Sequence, residues 1–355
     1  MKRFKNVTIA FAIAFSALLS GCYPTGEISR VNSRGDSEST TGSSSQAPKT
    51  VENLTVTATL PEYTQSEANQ IVLTYRKWDN DKVLETLLVN DSIIKEQHTP
   101  SDVFEGEDIL VYDTENDCRI VLETGRITYY NKSFIGRTNF TAFFLFELKK
   151  ASEELSDFPK SKAIEMAEDY LKRFNINNCG EPKVTAIFCE EANEQLKSFP
   201  ESVDEWTKDD EIYILEFPLE YDNISISSAS EQILGTDKHS PGTFIEMAVL
   251  REGVVMIKSW GIMAEECQKV GSVKIEFDAK AALEALVSNY SKGKLLDLTE
   301  IRSCRLVYFP VAVDGNVYTY SPFWEFEIIT TTEYGVYSET KLMNAQTGIF
   351  LGNYW

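Results

Sequence analysis

Histidine is almost absent from this chain: His98 and His239 are its only two in 355 residues. Both sit in polar, turn-like surroundings, Glu96-Gln97-His98-Thr99-Pro100 and Asp237-Lys238-His239-Ser240-Pro241. A G-x-S-x-G elbow and an H-E-x-x-H pair are both missing, so serine-hydrolase and zinc-protease readings lack their motifs. No G-x-x-x-x-G-K-[ST] occurs, and no G-x-G-x-x-G follows a strand, so no phosphate or dinucleotide cradle is indicated. Positive charge is also scarce, with 34 Lys and Arg against 55 Asp and Glu. Such a surface repels nucleic acid and anionic head groups, which excludes DNA and RNA as expected partners. No apolar run reaches the roughly 20 residues needed to span a bilayer. None of the six cysteines forms a C-x-x-C, so redox-motif and zinc-knuckle readings have no support. Cys179 and Cys189 are the first candidates for a bridge, although buried small hydrophobes are the simpler reading of these thiols. No cofactor or metal is expected.

What is present starts at the N terminus. Lys2, Arg3 and Lys5 precede an apolar run from Val7 to Leu19, and Leu19-Ser20-Gly21-Cys22 closes it. That is the order of a secretory signal, with a cysteine where a plain signal has a small-residue cut. The stretch resembles the lipobox of bacterial lipoproteins. The resemblance implies cleavage before Cys22, a diacylglycerol on its sulfur, and Leu19, Ser20 and Gly21 as the recognition residues of the signal peptidase. A chain carrying two or three acyl groups is held stably by lipid alone. The expected location is therefore the extracytoplasmic face of the cell membrane, with the membrane as partner through Cys22. The mature chain carries a net charge of (34 − 3) − 55 = −24, since the signal holds three basic residues.

Residues 22–53 form a Ser/Thr/Gly-rich linker, with Thr-Thr-Gly-Ser-Ser-Ser at Thr40 to Ser45. At about 5–6 Å × √n, such a stretch spans about 30 Å. The remainder is 43% hydrophobic and 12% aromatic by whole-chain composition, which suits a folded core. The expected organisation is a signal over 1–21, the linker, an N-terminal α+β domain over 54–150, and two related units over 151–268 and 269–355.

In the first domain Val56, Ala58 and Leu60 alternate as a strand. Ala68, Ile71, Val72, Tyr75 and Trp78 fall on a helical stripe, and Val83, Leu84, Leu87 and Leu88 on a second. Ile109–Tyr112 and Arg119–Leu122 flank a turn at Thr114–Asp117 and read as a hairpin. Further strands fit Arg126–Tyr130 and Phe140–Leu148. Each later unit opens with a helix (Ser161 to Phe174; Ala279 to Tyr290). Strands follow at Val184–Cys189 and Glu211–Leu219 in one, and at Arg305–Phe309 and Phe323–Ile329 in the other. The closing turns share Gly253 with Trp260 and Gly348 with Trp355, seven apart. This reads as an internal repeat.

Lys280-Ala281-Ala282-Leu283, Leu306-Val307-Tyr308-Phe309-Pro310, Pro322-Phe323-Trp324-Glu325-Phe326-Glu327 and Met343-Asn344-Ala345-Gln346-Thr347-Gly348 together resemble a PepSY-type domain. They are also similar to the C-terminal part of the YycH/YycI-type extracytoplasmic regulators. The resemblance covers the last ~80 residues, and 159–260 more loosely. It implies an α+β fold of helix-plus-antiparallel-sheet units.

Other constellations are incomplete. Ser92/Lys95 and Ser291/Lys294 match S-x-x-K without the accompanying S-D-N and K-T-G. Asp113, Glu115 and Asp117 alternate as in a calcium loop, but Cys118 and Thr124 stand where Gly and Glu belong. An improvised calcium site stays open there beside a plain hairpin turn. Glu325 and Glu327 share one face of a strand, opposite Trp324 and Phe326, and a solvated sheet face accounts for them. No catalytic set is expected. The reading that follows is a non-enzymatic, membrane-anchored lipoprotein that binds or regulates a membrane or envelope protein. The alternatives are an envelope hydrolase with an unrecognised site and the solute-binding lipoprotein of a transporter.

Overall fold

The computed structural model describes residues 51–63, 65–101, 106–138, 154–197, 204–233, 240, 242–261, 263–314, 317–333 and 335–351. The expected lipobox residues Leu19, Ser20, Gly21 and Cys22, the expected linker as far as Thr50, the strand expected at Phe140–Leu148, His239 and Trp355 lie outside them.

The chain opens with β1 (Leu54–Val56), β2 (Glu67–Tyr75), α1 (Asn80–Leu87) and β3 (Ile93–Pro100). Next come β4 (Asp108–Thr114), β5 (Cys118–Glu123), β6 (Arg126–Asn131), α2 (Lys132–Thr138), α3 (Lys160–Arg173), β7 (Lys183–Ile187) and α4 (Cys189–Leu196). They are followed by β8 (Ile212–Pro218), β9 (Glu220–Tyr221), β10 (Ile224–Ile226), β11 (Phe244–Leu250), β12 (Gly253–Trp260) and β13 (Ala264–Lys274). The chain closes with α5 (Ala279–Tyr290), β14 (Leu298–Asp314), β15 (Val317–Thr332) and β16 (Gly335–Asn344).

The strands build two eight-stranded sheets. One runs β3-β4-β5-β6-β12-β11-β8-β7. The other runs β13-β2-β15-β14-β10-β9, with β1 added to β14 and β16 to β15. The expected α+β fold of an N-terminal domain followed by two helix-plus-sheet units is therefore corrected: the protein is mostly β, and both sheets draw strands from distant parts of the chain. The physical reason is edge pairing. A four-stranded meander leaves open edges, and here β6 closes against β12 and β2 against β15 and β13.

A second correction concerns residues 67–75, expected as a helix and found as β2. Their buried residues are Ala68, Ile71, Leu73 and Tyr75. The step of three from Ala68 to Ile71 imitates a helical stripe. It falls where the pairing with β13 slips at a bulge between Lys269 and Gly271, and bulges disturb strict alternation.

The hairpin β4–β5 forms as its turn residues require, with Asp117 at φ 59. α5 starts where Asp278 accepts a hydrogen bond from the Ala281 amide at 2.7 Å, an N-cap that satisfies an otherwise orphaned donor. α3 places Ala163, Ala167 and Leu171 on one stripe. With Val83 and Leu87 of α1 that stripe covers Leu215, Phe217, Met247 and Ile257 of the first sheet. α5 covers Trp324, Phe326 and Ile328 of the second. The long β14–β15 hairpin bears α5 near one end. Near the other it packs Tyr308, Tyr318 and Tyr320 against Ile71, Leu73 and Ile226.

The chain passes between the sheets after β2 and again after β12, and backbone hydrogen bonds join residues of these crossings. The Arg76 amide donates to the Met263 carbonyl at 2.9 Å, the Met263 amide to Gly125 at 2.7 Å, and the Gly125 amide back to Arg76 at 2.7 Å. The Arg76 guanidinium caps α3 through the Phe174 carbonyl at 2.7 Å and lies 4.9 Å above the Trp78 ring.

Candidate functional site

Beside this junction, α1 and the β4–β5 ribbon leave a groove of about 310 Å³. Trp78, Leu110 and Leu122 supply its apolar lining; Lys77, Glu107, Asp108, Glu123 and Thr124 supply polar groups. Trp78 is fixed by edge contact with Phe174, and its buried Nε1 finds no hydrogen-bond partner among the described residues. Much of the polar lining is already engaged. Lys77 pairs with Glu107 at 2.9 Å, the Thr124 hydroxyl also meets Glu107, and the Ser101 hydroxyl donates to Glu123 at 2.5 Å.

At the outer side of the groove, β3 is an edge strand. All eight of its residues are exposed, and it pairs only with β4 among the described residues. His98 sits on it, exposed, 2.9 Å from Glu96 and 3.7 Å from Asp108. No described serine or cysteine is hydrogen-bonded to it. Ser92 and Lys95 lie at the start of β3. Ser291 is the C-cap of α5, its hydroxyl turned onto the Ser288 carbonyl at 2.7 Å. Neither pair is arranged as nucleophile and base.

Two of the alternating acids of the β4–β5 turn, Asp113 and Asp117, are paired with cations of the chain itself. Arg119 Nε meets Asp113 at 2.8 Å; Lys132 reaches Asp113 at 3.3 Å and Asp117 at 3.1 Å. The hairpin turn, not a calcium loop, is what these residues build. The Arg119 guanidinium, with Lys132 behind it, holds the Asp113 carboxyl below the usual aspartate range against the opposing effect of burial. The resulting stabilisation is present above the unfolded-state pKa and is lost as pH falls through the lower folded value. Asp113→Asn should therefore lower the melting temperature at pH 7, with the deficit closing as pH drops below about 4. Melting curves across pH 2.5–7 check this, and a deficit independent of pH would reject it.

Glu325 is the largest departure from the expected solvated face. It is buried, and it accepts from Arg305 Nε at 2.7 Å and from the Ser227 hydroxyl. The face it occupies is covered by the segment around Ala229 and by Leu351, packed on Val307, Phe309 and Phe323. Glu327 stands half-buried two residues on. Glu325, held by Arg305, is a structural clamp for the Ser227 segment.

Cys179 and Cys189 are both free thiols, as are Cys118, Cys267 and Cys304. The expected bridge fails on distance, because the two residues lie beyond opposite ends of β7. A five-residue strand spans about 17 Å, and a disulfide needs Cα atoms within about 7 Å. Cys189 opens α4 and offers its sulfur to Glu190 at 3.3 Å; Glu211 completes a cluster whose ligand atoms lie within 4.8 Å. Burial, then Glu190 and Glu211, push the thiol up to about 12. The thiol is thus a hydrogen-bond donor at neutral pH, and Arg251 stands 3.6 Å from Glu211.

Sequence reasoning missed a charged row on the first sheet, on the face opposite α3. Lys183, Glu216, Glu246, Lys258 and Thr128 are successive cross-strand neighbours. Glu246 is buried. Burial brings the Lys258 amine down to about 8, Glu246 opposing and Arg126 assisting. Between pH 8 and the ordinary 10.5 the unfolded chain holds more protons, so stability should rise with pH across that window. Competitive acetylation read by mass spectrometry should show Lys258 reacting with a midpoint near pH 8, below that of surface lysines; a midpoint above 10 would reject it. The signal was out of reach because it needs four strands in register.

No protein-family model matches this chain, and no curated protein matches it. Among solved structures, an uncharacterized protein from Eubacterium rectale ATCC 33656 superposes with a TM-score of 0.61 at 13% identity. The match covers 84% of this chain and 90% of that one. The C-terminal domain of Bacillus megaterium YpeB is a weaker structural neighbour, with a TM-score of 0.35 at 12% identity over 78% of this chain and 96% of that one. The first likeness is one of fold.

Proposed function

We propose that this protein is a non-enzymatic lipoprotein, held at the extracytoplasmic face of the membrane through Cys22, that binds or regulates a membrane or cell-envelope protein. The observation that supports it best is β3, eight exposed residues at the edge of the first sheet, paired only with β4 among the described residues. Such an edge presents unpaired backbone groups to which an extended segment of a partner adds as a further strand. The side chains exposed there, Ile93, Ile94, Lys95, Glu96 and His98, then set which segment fits. The Lys and the closing Pro100 discourage indiscriminate pairing.

The test is in-cell crosslinking with a photoreactive residue at Ile94, a second at Lys160 on α3 as position control, and Cys22→Ala as anchor control. Mass spectrometry of the adducts should return one membrane or envelope protein from the Ile94 position, lost with Cys22→Ala. Equal adducts at both positions, or none at Ile94 above the anchor control, would reject the reading.

A further inference from the structure

Large aliphatic side chains standing mostly in water mark contact surfaces when they are contiguous. The second sheet has such a place. Leu296 is 80% exposed, Leu298 64%, Val336 52% and Tyr337 54%. Leu298, Thr331 and Val336 form one cross-strand row over β14, β15 and β16, and Leu296 lies in the loop that enters β14. Tyr337 projects from the next row, so apolar groups occupy both sides of the sheet's end. A tip of this shape presents its side chains outward, not into a groove.

The described chain begins at this tip. The Asn53 side chain donates to the Leu295 carbonyl at 3.1 Å, and the Thr299 amide donates to the Asn53 carbonyl at 2.8 Å. β1 then pairs with Thr299 to Ile301. Only 29 residues, 22–50, separate Cys22 from this point. Fully extended they reach about 100 Å, and their composition predicts a span of about 30 Å. With a lipid on Cys22, the Leu296 tip is the part of the described fold nearest the anchor along the chain. A tether of that kind lets a weak surface act at high effective concentration.

The charges around the tip settle which lipid it suits. Lys292, Lys294 and Arg302 are offset by Glu52, Asp297, Glu300 and Glu333, and the rest of the molecule is strongly acidic. Attraction to anionic head groups is absent, so contact rests on apolar insertion. We propose that the tip formed by Leu296, Leu298, Val336 and Tyr337 is a membrane-contacting surface, inserting shallowly into the interface of a zwitterionic bilayer and fixing the orientation of the tethered protein. This rests on the lipid anchor proposed above and adds an orientation to it.

The full lipidated chain is reconstituted in phosphatidylcholine vesicles with an environment-sensitive fluorophore at Leu296→Cys, Val336→Cys or, on the other sheet, Lys95→Cys. The unsubstituted protein gives the background from native thiols. Emission should shift to the blue at positions 296 and 336 and be quenched by lipid-borne quenchers, stay unshifted at 95, and be indifferent to salt. Adding Leu298→Asp should abolish the shift at 336. Unshifted emission at both tip positions overturns the proposal. So does a shift in lipid-free buffer that grows with protein concentration, which would mean a second copy covers the tip. The mass of the Cys22 peptide tests the anchor separately. If it carries no lipid, the same proteins are titrated with vesicles in excess, and absence of the shift there still overturns the tip.

Discussion

Trp324→Ala should destabilise the protein by about 3–5 kcal/mol, the range for removing a large aromatic from a packed core. The side chain is fully buried, between Leu306 and Met343 across the strands and under Ala282 and Leu286 of α5. Its Nε1 donates to the Phe277 carbonyl at 2.7 Å, immediately ahead of the Asp278 cap that starts α5. The substitution opens a cavity and strands that carbonyl, so the loss should appear first in the helix. Trp324→Phe keeps most of the apolar contact and forfeits the hydrogen bond, costing about 1–2 kcal/mol. Urea unfolding gives the totals, and hydrogen exchange on residues 279–290 locates them. A loss under 1 kcal/mol for the alanine variant, or faster exchange confined to the other sheet, would contradict this account of how α5 is held.

Gly261→Ala should cost roughly 3 kcal/mol or more, through backbone strain rather than lost contact. Gly261 has φ +69, a region that a β-carbon disfavours. An added Cβ would fall on the carbonyl oxygen of Gly242, which itself has φ +55 and lies tight against the Ser228 carbonyl. Neither backbone can yield cheaply. Gly261 also accepts from Arg126 Nε at 3.2 Å and leads into Met263, which joins Arg76 and Gly125 at the junction of the sheets. The variant should lower the unfolding midpoint and raise exchange at Arg76, Gly125 and Met263. Gly293→Ala is the control, since nothing lies within 4 Å of its added Cβ and its φ is unremarkable. Equal effects of the two substitutions would show that the crossing is not under steric constraint.

Trp324 and Gly261 differ in how far the sequence foretold their roles. Trp324 was legible as an inward residue, because Trp324, Phe326 and Ile328 alternate with Glu325 and Glu327. Gly261 carried no local signal; its role depends on Gly242 and Ser228, brought beside it by a chain crossing.

Much of the local order, though not that of residues 67–75, was determined by the sequence. The helices at 160–173 and 279–290 and the hairpin at 108–123 follow from apolar spacing, caps and turn residues within a few positions of one another. The lipobox expected at Leu19–Cys22 rests on local sequence alone and lies outside the described residues. Only the tertiary structure decided which strands share a sheet, because backbone pairing is chemically alike for every strand and is chosen by register and coverage over long separations. β6 with β12, and β2 with β13 and β15, join residues more than a hundred positions apart. That choice merged the expected units into two sheets and buried Glu325 under the Ser227 segment. It also aligned Lys183, Glu216, Glu246 and Lys258 in one row and set Leu296, Leu298 and Val336 beside the start of β1.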